Sequence, residues 1–198
     1  GEVALRDSGL TLAEAKQVIA NSVEQAHKLE GLAEGLLQLS RRRDKTTPLR
    51  PVSLEEIANE AMNAVIAQAQ AKHITIEENA PHVPIMADRA SLVQVVIILL
   101  DNAIKYSPKY STIRLEGARE GAYGTLRVRD EGTGIADVDL PHIFERFYRA
   151  DVSRSKQGYG LGLSIAQKII AQHNGAIAVQ STGKTGSVFV VKIPLAKL

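Results

Sequence analysis

The sequence predicts an α+β protein: an α/β sandwich in which one mixed, mostly antiparallel sheet is covered by helices on one face, preceded by a long helix. Three observations carry this expectation. Leu12, Ala15, Ile19, Ser22, Ala26, Leu29, Ala33, Leu36 and Ser40 recur in steps of three and four, the period of one helix face. Six later runs, "HITIEE", "VPIMA", "TIRLEGA", "GTLRVRD", "AIAVQS" and "SVFVVKIPL", have strand patterning. Helical segments at 54–72, 89–106, 138–148 and 161–173 separate them in the order αβ(β)αββααββ.

Taken in order, the Leu12–Ser40 stripe is a helix of about 43 Å, widened by Val18, Val23, Leu32 and Leu37. A face that wide needs helical partners, and its alanines and serines suit close packing in a bundle. The opening "GEVALRD" reads as the end of an antiparallel neighbour, so residues 1–43 are expected to be a partial helical hairpin and the chain a fragment. Residues 44–52 belong to the polar, basic, two-proline stretch "SRRRDKTTPLRPVS" and read as a linker. Ser53 followed by Glu56 forms a capping box that opens "LEEIANEAMNAVIAQAQAK", the first helix of a unit spanning 53–198.

Composition narrows the functional classes. Lysine plus arginine (24) against aspartate plus glutamate (22) leaves a net charge of +2, which gives no broad field for nucleic acid or an anionic membrane. No nucleic-acid partner is expected. With no cysteine, disulfides and thiolate metal sites are excluded, and a reducing, cytoplasmic compartment fits. The longest apolar run, Val95–Leu100, falls far short of the roughly 20 residues of a membrane span, so any membrane attachment would come from upstream segments.

The chemistry concentrates in three places. In "GTLRVRD", period two puts Asp130 on the same face as Leu126 and Val128, and an inward carboxylate requires a donor. Taken alone it could equally cap a turn. "EGTGI" follows with Gly132 and Gly134, where the backbone must turn tightly or let something approach. In "QGYGLGLSIAQKII", Gly158, Gly160 and Gly162 feed a helix beginning near Leu161, whose free N–H groups offer an anion site. A GxGxG alone is weak, and the spacing fits neither a dinucleotide fingerprint nor a P-loop.

The third place is "VVIILLDNAIKYSP". Ile98, Asn102, Lys105 and Tyr106 lie on one side of a helix, with Leu99 and Ala103 on a neighbouring stripe. Asn offers lone pairs to a hard cation such as Mg²⁺, Lys a point charge, and Tyr a hydroxyl. Together with Asp130 and the glycine loops they could surround a nucleotide.

"LLDNAIKYSP", "DEGTGI", "IFERFYR" and "GYGLGLSIAQKIIAQHNGAI" in this order resemble the N, G1, F and G2 boxes of sensor histidine kinases, a superfamily shared with gyrase, the heat-shock chaperone ATPase and mismatch-repair ATPases. The resemblance implies a Bergerat-type ATP-binding fold over 53–198, with a segment at about Arg149–Gln157 that closes over the nucleotide. It implies Asp130 for the adenine amino group, Asn102 for Mg²⁺, and Lys105 and Tyr106 near the phosphates or ribose. Gly132, Gly134, Gly158, Gly160, Leu161 and Gly162 would supply backbone approach to ATP. A homodimer through the hairpin, a response-regulator receiver domain as partner, and a parent protein anchored in the bacterial inner membrane are implied as well.

Two departures from the pattern matter. The phosphoacceptor histidine of the family lies ahead of "EVALR", and none of His27, His73, His82, His142 and His173 matches its motif; surface or structural roles are expected for all five. Family members usually carry a second asparagine, and the ATPase relatives a glutamate, where this chain has Ile98. Isoleucine cannot bind metal or orient a nucleophile, so ATP binding is expected to survive with phosphoryl transfer in doubt. The alternatives are a catalytically impaired nucleotide-binding regulatory module and a gyrase- or chaperone-like ATPase.

Overall fold

Ser53 ends a strand and starts a helix, and the larger unit of the chain grows outward from that point. In the computed structural model, residues 11, 16, 18, 19, 48–150, 159–181 and 185–196 are described. The chain divides into two units, 1–45 and 46–198. Of the long Leu12–Ser40 stretch, Lys16, Val18 and Ile19 are helical; the remainder, with His27, lies outside the described residues.

Strand β1 (Arg50–Ser53) pairs antiparallel with β3 (Pro84–Ala87), in the register Val52↔Ile85. Residues 50–52, expected as linker, are therefore sheet. A four-residue edge strand tolerates Pro51, whose missing N–H would break a central ladder. Helix α1 (Leu54–Ala71) follows, and the Ser53 hydroxyl accepts from the Glu55 N–H at 3.2 Å. This is a simple N-cap to the second helical residue in place of the expected capping box, and Glu56 leans toward Arg89 Nη1 at 3.8 Å.

Strand β2 (Thr75–Asn79) precedes β3, and helix α2 (Arg89–Tyr106) comes next. Then come β4 (Thr112–Glu120), β5 (Tyr123–Arg129), α3 (Gly162–Gln172), β6 (Ala176–Ser181) and β7 (Ser187–Pro194). The main sheet has five strands in the order β2-β4-β5-β7-β6, with β2 and β4 parallel and the other neighbours antiparallel. The expected mixed, mostly antiparallel sheet is therefore present. Ile113, Leu115, Leu126, Val128, Phe189 and Val191 form its buried face, and α2 packs on β4 and β5 through a helix whose Leu92, Val96, Leu99 and Leu100 are buried. Each such side chain contributes about 1.5–3 kcal/mol. Charged pairs mark the other face, where Arg114 meets Glu77, and Arg127 and Lys192 converge on Glu120.

The helix expected at 138–148 does not form. Residues 137–147 are successive turns, with Asp139, His142 and Glu145 donating to Ala136, Asp139 and His142, respectively. Pro141 removes an N–H from the middle of the run, and Phe147 adopts φ +65°, so an i→i−4 ladder cannot propagate.

His173 is structural, as expected, and buried. Its Nδ1 donates to the Ile169 carbonyl (2.7 Å), which leaves Nε2 to accept from the Asp88 N–H (2.9 Å) at the start of α2. The end of α3 is thus tied to the beginning of α2. Replacing His173 by Leu orphans the Asp88 donor and is expected to cost about 1–3 kcal/mol, read as a lower denaturant midpoint with an unchanged slope. His73, His82 and His142 are exposed.

Candidate nucleotide site

Helix α2 supplies the floor. Leu99 and Ala103 are buried, while Ile98, Asn102, Lys105 and Tyr106, on one side of the helix, are half-exposed. Lys105 Nζ sits 5.0 Å from the Tyr106 ring centroid. The Asn102 amide makes no hydrogen bond among the described residues, so its oxygen is available to a ligand. Asp101, also half-buried, has its carboxyl pushed above the usual carboxylate range by desolvation.

Asp130 ends β5 and is 6 % exposed. Its Oδ1 accepts from the Gly132 N–H at 2.8 Å and the Ser187 N–H at 3.3 Å. Among the described residues Oδ2 takes no backbone hydrogen bond, and the Ser187 hydroxyl also lies within reach of the carboxyl. Burial raises the Asp130 pKa, and the donors on Gly132 and Ser187 oppose that rise without cancelling it. The result is a carboxylate with one oxygen fixed by the protein and the other open to a donor, in a setting that strengthens whatever hydrogen bond it accepts.

The glycines converge on this helix. A Cβ on Gly132 would stand 2.7 Å from Asp130 Oδ1 and 3.0 Å from the Tyr106 carbonyl oxygen, so the loop after Asp130 lies directly against the end of α2. Gly162 approaches Ile98, whose Cγ2 would be 3.2 Å from an added Cβ, which brings the start of α3 onto the same helix. Gly160, at φ +68°, accepts from the Phe147 N–H (2.9 Å), and its Cα packs against the Phe147–Tyr148 backbone. Gly134 has φ +72°, and Leu161 is buried. Gly158 and residues 151–157 of the expected closing segment lie outside the described residues.

The structure adds residues that the sequence did not mark. Ser187 holds Asp130 from the first position of β7, and Asp130 N–H in turn donates to the Ser187 carbonyl at 3.0 Å. Gly186 lies against the Asp130 carbonyl. Ser181 Oγ accepts from the Ile135 N–H and donates to the Gly186 carbonyl, both at 2.8 Å, tying the loop after Asp130 to the β6–β7 connection. A glycine just before the "SVFVVKIP" strand was the one available signal. The serines had none, because Asp130 and Ile135, whose positions they fix, lie 57 and 46 residues away.

These residues fit an adenine nucleotide: a buried acid with an open oxygen, backbone without side chains beside it, and a cationic lysine on the neighbouring turn. Among the described residues no group of three or more His, Asp or Glu side chains is placed to hold a metal by itself. Asn102 suits Mg²⁺ as a single ligand, since that ion keeps most of its shell as water and phosphate oxygens. No described helix is long and apolar enough to cross a membrane.

Residues 87–197 match the family described as histidine kinase-, DNA gyrase B-, and HSP90-like ATPase. The chain is 34% identical over 177 residues to the sensor-like histidine kinase SenX3 of Mycolicibacterium smegmatis, covering 87% of this chain and 46% of that one. It is 32% identical over 197 residues to the sensor protein CiaH of Streptococcus pneumoniae, covering 98% of this chain and 44% of that one. The chain thus spans less than half the length of these relatives. Among solved structures, full-length ShkA in complex with AMPPNP superposes with a TM-score of 0.76 at 27% identity, covering 96% of this chain and 41% of that one.

Proposed function

The chain belongs to the family of histidine kinase-, DNA gyrase B- and HSP90-like ATPases, as the ATP-binding catalytic part of a sensor histidine kinase, and from that premise we propose how its residues divide the work. Asp130 selects adenine by accepting from the exocyclic amine through the oxygen the protein leaves open. Lys105 and Tyr106 meet the phosphates and ribose. Gly132, Gly134, Gly158, Gly160 and Gly162 let the backbone come close, and the N–H groups at Leu161 and the start of α3 face the phosphates. Asn102 contributes one ligand to Mg²⁺, which when bound neutralises phosphate charge. The protein's part in the transfer is positioning and electrostatics.

The whole protein would pass the γ-phosphoryl group to a hairpin histidine and then to an aspartate of a response-regulator receiver domain. It would dimerise through the hairpin in residues 1–43, with 44–49 as connector, in the cytoplasm beneath a membrane anchor. The single observation that carries the nucleotide reading is Asp130: a buried acid whose pKa is raised by desolvation has little structural reason to be charged. That an ATP analogue is bound in the ShkA structure supports the same reading.

Ile98 favours a second reading, a nucleotide-binding module without transferase activity. Its methyl group fills the contact with Gly162, where relatives of the resemblance place an amide. Labelled ATP and a separate hairpin fragment carrying the phosphoacceptor histidine distinguish the two. Label on the fragment supports the kinase; tight binding without transfer supports the silent module. Restoring an amide with Ile98→Asn is expected to raise transfer by about 10²-fold or more if the side chain is the defect, read by the initial rate at saturating Mg-ATP. An unchanged rate would assign the metal's remaining ligands elsewhere.

A further inference from the structure

Lys72 closes α1, yet its side chain serves α2. Its Nζ donates to the carbonyls of Ile104 (2.6 Å), Lys105 (3.0 Å) and Ser107 (2.7 Å). These carbonyls belong to the last turn, where an α-helix has no partners of its own to offer. An ammonium has three donors, and here three carbonyls meet them. The bonds reach across more than 30 positions of sequence, from the cap of one helix to the cap of the next.

The turn that Lys72 holds is the turn that carries Lys105 and Tyr106. It is also the surface on which Gly132 rests, because the Tyr106 carbonyl lies against that glycine. A helix C-terminus bears about half a negative charge. A triphosphate brought beside it meets repulsion unless a cation offsets that charge. Lys72 supplies the cation while its own donors stay committed to the backbone. The loop that presents Lys72 is itself held: the Tyr110 N–H donates to the His73 carbonyl at 2.9 Å, and the two rings stack at 5.1 Å.

We propose that Lys72 is a positioning residue for the nucleotide site, fixing the last turn of α2 and neutralising its dipole so that Lys105, Tyr106 and the Gly132 loop present a surface an anion can approach. The inference rests on the nucleotide reading above. A simple staple between α1 and α2 is the competing role, and the structure contains one for comparison at the other end of α2, where Arg89 pairs with Glu60 (2.9 Å) and Glu56 (3.8 Å).

The test measures ATP affinity of the full chain by calorimetry, with Mg²⁺, for the wild type and for Lys72→Met, Lys72→Gln, Lys72→Arg and Arg89→Ala, each at a temperature where circular dichroism reports it folded. Lys72→Met is expected to weaken ATP about 5- to 30-fold, the span of a helix-terminus charge. Lys72→Arg should recover most of that loss, and Arg89→Ala should bind as the wild type does. If Lys72→Met does not fold, Lys72→Gln, which keeps two donors without charge, takes its place. Wild-type affinity in the neutral variants, no recovery with arginine, or an equal loss in Arg89→Ala each overturns the proposal. Absence of ATP binding by the wild type would instead overturn the nucleotide reading on which it rests.

Discussion

Asp130→Asn is expected to weaken ATP binding by about 10- to 150-fold while leaving the empty protein as stable as the wild type or more so. The loss follows from a charge-assisted hydrogen bond to the adenine amine, about 1.5–3 kcal/mol. The gain follows from burial. Asp130 has a raised pKa in the folded state because desolvation outweighs the donors on Gly132 and Ser187. The folded protein therefore holds the proton more tightly than the unfolded chain, and stability falls as pH rises through the raised value. Above that value the carboxylate is charged at a cost, which an amide avoids while its oxygen still accepts from Gly132 and Ser187. Thermal melts should show the mutant's advantage growing as pH rises through the raised value and shrinking on acidification below it. Calorimetric titration with ATP checks the other half: an affinity equal to the wild type removes Asp130 from adenine recognition.

Gly186→Ala is expected to destabilise the unit by about 2 kcal/mol or more and to abolish measurable nucleotide binding. Gly186 has φ +86°, a conformation that disfavours any L side chain by roughly 1–2 kcal/mol. An added Cβ would also fall 2.0 Å from the Asp130 carbonyl oxygen, which is backbone and cannot rotate away. Relief requires the start of β7 to move off β5. That displaces Ser187, one of the two donors on Asp130, and the Ser181 hydroxyl bonded to the Gly186 carbonyl. The midpoint of thermal unfolding should drop by about 2–4 °C for each kcal/mol in a domain of this size. A variant that melts with the wild type and still binds ATP would show that the β6–β7 connection does not support Asp130.

Local periodicity made much of this site legible. The three-and-four spacing put Ile98, Asn102, Lys105 and Tyr106 on one side of a helix with Leu99 and Ala103 on the next stripe, and strand alternation foretold that Asp130 points inward with Leu126 and Val128. Both follow from burial direction, which a repeating pattern records. Lys72 and Ser187 could not be found that way. Their bonds cross 32 to 35 and 57 residues, respectively, and no period links the partners. Strand β1 was hidden for a related reason: four residues containing a proline resemble a connector until β3 is present to pair with them. The 138–148 segment misled in the opposite direction, since its apolar spacing suits a helix while Pro141 and the positive φ of Phe147 do not.

Strand β3 has a neighbour on each side. Val52 pairs with Ile85 on one, and Leu195 bridges to Ile85 on the other, with Ala196 N–H donating to the Pro84 carbonyl at 3.0 Å. Both flanking segments are antiparallel to β3 and therefore parallel to each other, so the polypeptide enters the 46–198 unit beside Ala87, the partner of Arg50, and leaves it beside Pro84, at the other end of β3. Opposed pulls on the two flanks would therefore load the hydrogen bonds of β3 along the strand axis, in shear.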